Sequence, residues 1–321
     1  MWQDKTMSGN NNGPDRQSNA GVISAVLQSN KAQALAEEGQ FEAALDLYDE
    51  AITICPQVNY RGDLLTLRGC LLFGLKEIDR AKSDLVMAVN QGCDFPFQAM
   101  RYLAFSYAAD GAFEDAAAAM LLARENGEDA AFAAQAISTY RLASGEIEQA
   151  ELFVAEDMNY QSCDPDAQAR VSLVRAELYR LKGNLGGFKR SLDAAANISS
   201  EMSPDIALWL AILDEISGRL APRAIVLKAL NDDEDLCARM YRVRTRPDLF
   251  EDAMRVASNW EPMNRDEFRQ LGYRGAALIA EITGDLTTVR GCYEEAVVDS
   301  KMRWLIHHHL AAAALAQMPT L

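Results

Sequence analysis

The sequence predicts an all-α protein: a helical-repeat solenoid of about eight helix pairs followed by a C-terminal capping helix. Of its 321 residues, 49% are hydrophobic but only 8% are aromatic, and alanine supplies much of the apolar fraction. This composition favours closely packed helices over a β-sandwich, whose strands are rich in β-branched and aromatic residues. The second observation is a pattern of helix, glycine and helix that recurs about every 35 residues.

The clearest repeat unit runs from Ala34 to Ile52. Gly39 separates its two amphipathic stretches, and glycine ends a helix well because it adopts a left-handed backbone without strain. Phe41 begins the second apolar stripe, and Pro56 follows its end. The same glycine junction returns at Gly111, Gly145, Gly183, Gly218 and Gly284. The 245 residues from Gly39 to Gly284 correspond to seven periods of 35.

Two of the expected junctions lack glycine. The segment Lys76-Glu77-Ile78 still places polar residues before an apolar one, and Pro247 is typical of the start of a second helix. With these two junctions the array has about eight helix pairs. The segment from Met302 to Ala316, which contains four consecutive alanines, predicts one further helix that caps the array.

The second helices carry a small residue, a bulky residue four positions later and a small residue three positions after that. The first unit has Ala44, Tyr48 and Ala51, with Pro56 five residues further on. The next two units repeat the pattern with Ala81, Leu85 and Ala88, and with Ala116, Met120 and Ala123. In this pattern residues 24–124 resemble the tetratricopeptide repeat family, where small side chains let paired helices approach closely. Two first helices fit as well, through Gly69 and Leu72 and through Ala104 and Tyr107.

The resemblance weakens after residue 124, although the period continues. The fourth unit has Asp157, and the fifth has Phe188, where a small residue is expected. We therefore predict three regions: a disordered, polar tail over residues 1–20, regular repeats over 21–160, and degenerate repeats with the capping helix over 161–321. The resemblance implies that the whole array is a continuous right-handed solenoid.

Charge and cysteine placement narrow the class of partner. The formal net charge is −16, and an acidic surface repels nucleic-acid phosphates and anionic lipid headgroups. The charge either keeps the protein soluble or attracts a basic segment of a partner. The six cysteines lie singly, without metal-ligand or redox spacing, and are typical of buried reduced thiols. With no secretory signal and no membrane span predicted, we expect a cytoplasmic protein.

No motif in the sequence predicts catalysis, a metal site or a cofactor. The three histidines are consecutive, His307 to His309, and neighbouring residues on a helix diverge by about 100°, so they do not share one site. The acidic run from Asp232 to Asp235 is typical of a helix N-terminus, and the basic run from Arg239 to Arg246 of a helix C-terminus. The alternative for the basic run is a docking patch for an acidic partner. We expect a protein that is not an enzyme.

The resemblance also implies a binding groove, because the first helix of each pair lines the concave face in that family. Carrying the pattern across places eight residues there: Gln33, Thr66, Phe73, Gln98, Arg101, Phe105, Phe132 and Gln135. The three phenylalanines either form an exposed aromatic strip beside Arg101, which would anchor a peptide, or pack between neighbouring helix pairs. The cationic clamp that cochaperones use for acidic chaperone tails is absent, since the corresponding residues are Ser29, Gln33, Leu67, Gln98 and Tyr102.

The leading expectation is an adaptor or chaperone-like protein that holds an apolar or basic segment of another protein. The resemblance implies a setting such as bacterial secretion or envelope assembly. An architectural subunit that self-associates or bridges a larger complex is the second hypothesis. An enzyme on a helical-repeat scaffold is the remote third.

Overall fold

The computed structural model describes residues 14–155, 164–198, 201–219, 221–231, 237–238, 241, 286–297, 310–312, 315 and 318. Over these residues the protein is helical and contains no strand, which confirms the predicted all-α helical-repeat fold. The helices are α1 (Pro14–Glu37), α2 (Phe41–Ile54), α3 (Val58–Gly74), α4 (Ile78–Gln91), α5 (Pro96–Ala109), α6 (Phe113–Glu125), α7 (Ala130–Ala143), α8 (Ile147–Leu152), α9 (Pro165–Leu181), α10 (Leu185–Asn197), α11 (Pro204–Ile216), α12 (Ala224–Ala229) and α13 (Leu286–Val297).

The chain forms two compact units, unit 1 over Met1–Ser106 and unit 2 over Tyr107–Leu321. In unit 1, α1 packs on α2 and α3 packs on α4, while α2 also contacts α3. In unit 2, α7, α9 and α11 pair with α8, α10 and α12 in the same way. The boundary between the units lies within α5, whereas the sequence analysis places the change from regular to degenerate repeats near residue 160.

Five glycines at the junctions inside helix pairs take the left-handed conformation that the sequence predicts, with φ between 70° and 87° at Gly39, Gly111, Gly145, Gly183 and Gly218. At the junction without glycine, Lys76 takes the same conformation with φ of 65°. Because the left-handed region is strained for a residue with a side chain, the shape of this junction is imposed by the pair α3 and α4. Gly284 lies outside the described residues.

The second-helix pattern forms the contacts inside each pair. Ala44 and Ala51 are fully buried, and Tyr48 between them is 4% exposed. The other two triplets, headed by Ala81 and Ala116, are completely buried. A Cβ atom on Gly69 of α3 would lie 2.9 Å from Leu85 Cγ of α4, so only a glycine permits this approach.

The fifth repeat keeps its core although it departs from the family pattern. Phe188 of α10 is 1% exposed and belongs to the hydrophobic cluster of unit 2. The adjacent Gly187 provides room for the ring of Tyr179 on α9, since a Cβ there would lie 2.6 Å from Tyr179 Cδ2. Phe188 thus packs into the core at the position where the family pattern has a small residue, while Gly187 admits the ring of Tyr179 beside it.

Two helices of unit 2 are buried on every side. In α9 the eight residues from Val171 to Leu178 are all buried, and so are the nine from Ile206 to Asp214 in α11. Cys237, Tyr293 and Leu310 belong to the same hydrophobic cluster, so residues from the C-terminal part of the chain pack with these helices. A helix buried all round presents no open face.

At the N-terminus α1 begins at Pro14, so helix extends into the region 1–20 that the sequence predicts to be disordered. The histidines at 307–309, the acidic run at 232–235 and most of the basic run at 239–246 lie outside the described residues. Within the predicted capping helix, residues 310–312 are helical, and Leu310 and Ala311 are fully buried in unit 2.

Candidate functional site

The first helices of unit 1 repeat the same face in register. Gln33 of α1, Cys70 of α3 and Phe105 of α5 each lie six residues before the junction residue that ends their pair's first helix. Side chains at equivalent positions of successive first helices occupy the same face of a repeat array. We call the face made by these positions and their neighbours the inner face of unit 1.

Three aromatic rings meet on this face. The ring of Tyr102 lies edge-on to Phe73 and to Phe105, with both centroid distances 5.7 Å, and Phe73 and Phe105 are 6.0 Å apart. Edge-to-face pairs at these distances are favourable beyond the area that they bury. The cluster joins α3 to α5. The predicted juxtaposition of Phe73 and Phe105 is therefore present, and Tyr102 completes it.

In the sequence, Tyr102 was considered only as one of the residues that replace the cationic clamp of the cochaperones. Its signal lay in the repeat register, since Tyr102 and Leu67 both lie nine residues before their junction residues, Gly111 and Lys76. This position packs against the preceding pair, as Leu67 does against the cluster of Ala32, Ala44 and Tyr48.

Phe73 and Thr66 do not line an open groove, contrary to their assignment from the resemblance. Phe73 is 5% exposed because it packs under the other two rings, and Thr66 is 4% exposed. The Thr66 hydroxyl donates a hydrogen bond of 3.0 Å to the carbonyl of Gly62 in its own helix. For Phe73 the packing alternative is the one that the structure has.

The remaining predicted residues of unit 1 reach the surface. Gln33 is exposed, and its Nε2 donates to Glu37 Oε1 at 3.3 Å. Gln98, Arg101 and Phe105 are partly exposed along α5. The guanidinium carbon of Arg101 lies 5.6 Å from the centroid of the Tyr102 ring, within the range of a cation–π interaction.

Cys70 lies on this face and is partly exposed, within electrostatic range of Arg101, Tyr102 and Tyr48. Burial raises the pKa of the Cys70 thiol to about 12, although the charge of Arg101 acts in the opposite direction. Burial likewise raises the pKa of Tyr48 and of Tyr102. The thiol of Cys70 is therefore protonated near neutral pH, and in this form it packs as a small apolar side chain.

Phe132 and Gln135 lie on α7 in unit 2 and are partly exposed. The carboxylate of Asp129 caps this helix by accepting hydrogen bonds from the backbone N–H groups of Ala131 and Phe132, at 2.9 and 2.8 Å. Further along α7 the residues from Ala136 to Tyr140 are all buried, and so is Leu142. Of the three phenylalanines in the predicted aromatic strip, Phe73 and Phe105 lie together in unit 1, and Phe132 belongs to unit 2.

The paired helices are similar to those of solved tetratricopeptide repeat proteins. A tetratricopeptide repeat protein from Parabacteroides merdae ATCC 43184 aligns with a TM-score of 0.50 and 14% sequence identity, covering 78% of this chain and 99% of that one. This chain has a tetratricopeptide-repeat fold. The C-terminal part of a TPR repeat-containing protein from Cytophaga hutchinsonii aligns with a TM-score of 0.46 and 12% identity, over 84% of this chain and 93% of that one. No family model and no curated protein matches the sequence significantly.

The tetratricopeptide-repeat register allows equivalent positions of the two units to be compared, and their burial differs. Thr139 and Glu177 lie six residues before Gly145 and Gly183, as Phe105 does before Gly111, yet they are 1% and 0% exposed. Glu177 accepts a hydrogen bond of 3.1 Å from Trp209 Nε1 and pairs with Arg180 at the same distance. Thr139 of α7 and Glu177 of α9 are therefore part of the packed interior of unit 2.

Among the described residues, no group of histidine, cysteine and acidic side chains has the geometry to hold a metal ion. The same residues include no helix with the length and apolar character needed to cross a bilayer.

Proposed function

We propose that the protein binds a segment of another protein on the inner face of unit 1. The exposed part of this face is formed by Gln33, Gln98, Arg101 and Phe105, supported from below by Phe73 and Tyr102. Protein binding is the role that the tetratricopeptide-repeat fold suggests at the general level. The site itself rests on the residues of this chain.

The observation that carries the proposal is the contrast in burial between first helices. In α5 the residues Arg101, Tyr102 and Phe105 all retain contact with solvent. The corresponding stretch of α9 is buried without interruption, as is that of α11. Aromatic and arginine side chains gathered on an accessible face are the residue types that contribute most to protein interfaces.

The chemistry of the face favours a segment with an apolar anchor. The edges of Tyr102 and Phe105 offer apolar contact area, and the amides of Gln33 and Gln98 can pair with the polar backbone of an extended or helical segment. Glu37 is exposed beside Gln33, and the whole chain carries a net charge of −16. Basic residues flanking the anchor would therefore speed association.

The test begins with the proteins that co-purify with the native chain, identified by mass spectrometry. A peptide from the bound partner is then titrated against purified protein. We expect Phe105→Ala and Arg101→Glu each to weaken binding at least about tenfold, the effect of losing one interface anchor. Arg101→Glu keeps all three rings of the cluster, and a circular dichroism spectrum equal to that of the native protein separates a loss of binding from a folding defect.

Leu185→Ala is the matched control. Leu185 is 67% exposed on α10 in unit 2, and its removal leaves the inner face of unit 1 unchanged. Partner affinity that survives both Phe105→Ala and Arg101→Glu would overturn the proposed site. The bacterial secretion or envelope role that the resemblance implies stays a prediction, which the identity of the partner decides.

A further inference from the structure

One face of α1 is uncovered although it carries large apolar side chains. Ile23 and Leu27 are 61% and 65% exposed, and Asn30 and Ala34 on the same face are exposed too. These residues lie 16, 12, 9 and 5 positions before Gly39, which places them on one stripe of the helix. We call this stripe the open face of α1.

In the other first helices the position equivalent to Leu27 is an internal contact. The residues twelve positions before each later junction are at most 1% exposed: Leu64, Ala99, Ala133, Val171 and Ile206. Leu64 shows what the position does, because it packs with Ala51 and Cys55 of α2 and with Ala25 of α1. A first helix thus uses this position to stack on the preceding helix pair. In α1 the position holds Leu27, which no helix among the described residues covers.

We propose that the open face of α1 docks against the same face of a second copy of this chain, with the two helices antiparallel about a twofold axis at Leu27. In that arrangement Leu27 meets its own counterpart and Ala20 lies opposite Ala34 of the other copy. Small residues at both ends of the contact allow the helices to approach closely. An isologous contact of this kind closes on itself and produces a dimer.

Charge placement is consistent with this pairing. Lys31 is the exposed cation on the stripe, and in the antiparallel register it lies opposite Ile23, so two lysines do not face each other. The aliphatic part of a lysine side chain covers apolar surface while its amine stays in water. Ser24 lies opposite Asn30, which pairs two exposed polar side chains.

The size of the stripe sets the expected strength. From Ala20 to Ala34 an α-helix rises about 21 Å. A single helix pair of this length buries less than the roughly 1,600 Å² of a standard interface, so the dimer should dissociate in the micromolar range, on the order of 10–100 µM.

The first test measures the molecular mass by analytical ultracentrifugation as a function of protein concentration. The concentrations extend from about tenfold below to about tenfold above the expected dissociation constant. We expect a monomer–dimer equilibrium that Leu27→Asp shifts at least tenfold toward monomer. The control is Leu185→Asp, since Leu185 is as exposed as Leu27 but lies on α10. A monomer at every concentration, or a dimer that Leu27→Asp leaves unchanged, would overturn the proposal.

The second test examines direction. Ala20→Cys and Ala34→Cys proteins are prepared separately, mixed and oxidised mildly. Antiparallel docking predicts that disulfide-linked dimers form between the two variants and far less within either one. Cross-links within the Ala20→Cys variant alone would show a parallel contact and contradict the register. Neither result depends on Arg101 or Phe105, so these tests are independent of the tests of partner binding on the inner face of unit 1.

Discussion

Arg68 of α3 donates two hydrogen bonds to the buried carboxylate of Asp84 on α4, from Nε to Oδ2 and from Nη2 to Oδ1, and both are 2.7 Å long. Its remaining terminal nitrogen bonds Asp49 of α2. One guanidinium thereby connects three helices of unit 1. Unit 2 contains a similar arrangement, in which Arg223 bonds Asp214 at 2.6 and 2.8 Å and Asp193 at 2.9 Å.

Arg68→Met should destabilise the protein by about 3 kcal/mol, because it leaves Asp84 buried without its charged partner. Asp49→Asn is the matched control: Asp49 is exposed, so its loss should cost at most about 1 kcal/mol. Urea denaturation followed by circular dichroism measures both. Equal effects of the two substitutions would mean that the Asp84 pair contributes no more than a surface ion pair.

The sequence analysis could not identify this network, whereas it identified the repeats. A glycine junction or a small–bulky–small triplet is local and recurs, so one chain provides several independent examples of it. Arg68 and Asp84 are sixteen residues apart, and nothing in the sequence distinguishes them from charges on a solvated face. Their pairing becomes visible only when α3 and α4 are packed.

The candidate site was predicted in part for the same reason. The resemblance to the tetratricopeptide repeat family implied that Gln33, Arg101 and Phe105 lie on one side of successive first helices. It assigned Phe73 and Thr66 to that side too, but their burial depends on the side chains of neighbouring helices. The open face of α1 was missed altogether, because Leu27 and Leu64 are both leucines at equivalent positions and differ only in what covers them.

Two adjacent glycines in α10 should respond oppositely to alanine. Gly187→Ala places a Cβ about 1 Å inside contact distance of the Tyr179 ring and should destabilise unit 2 by about 1–3 kcal/mol. At Gly186 the nearest atoms to a Cβ are 3.5 Å away or more, so Gly186→Ala should be neutral or stabilising by up to about 1 kcal/mol. Thermal unfolding of the two variants provides the comparison. Destabilisation by both would argue that an effect common to the first turn of α10, such as its capping by Asn184, and not the Tyr179 contact, governs the response.

Lys76→Gly should stabilise the protein by about 0.5–1 kcal/mol, since glycine adopts a φ of 65° without the steric cost that lysine bears. The reverse change at an equivalent junction, Gly39→Ala, should destabilise by about 1 kcal/mol. A Cβ on Gly39 meets no atom within 4 Å, so this cost is conformational and not a clash. Chemical denaturation measures both free energies of unfolding. A loss of stability in Lys76→Gly would show that the Lys76 side chain contributes more than its backbone strain costs.

Cys70 should make the protein less stable as the pH rises above 9. Its thiol has an ordinary pKa near 9.0 in the unfolded chain and a pKa of about 12 in the folded one, so between these values the folded state binds more protons. Stability therefore falls with increasing pH, by about 1.4 kcal/mol at pH 10. Denaturation midpoints at pH 7 and pH 10 test this, with Cys70→Ala expected to lose less stability over the interval than the native chain.

An independent measurement is alkylation. Because the thiolate is the reactive form, iodoacetamide at pH 8 should label Cys70 in the native protein at least 100-fold more slowly than in the urea-unfolded chain, a factor based on about three pKa units. Peptide mapping by mass spectrometry reports the rate for Cys70 alone. Rapid native labelling, or the same pH dependence of stability in Cys70→Ala, would contradict a protonated, weakly reactive thiol at Cys70.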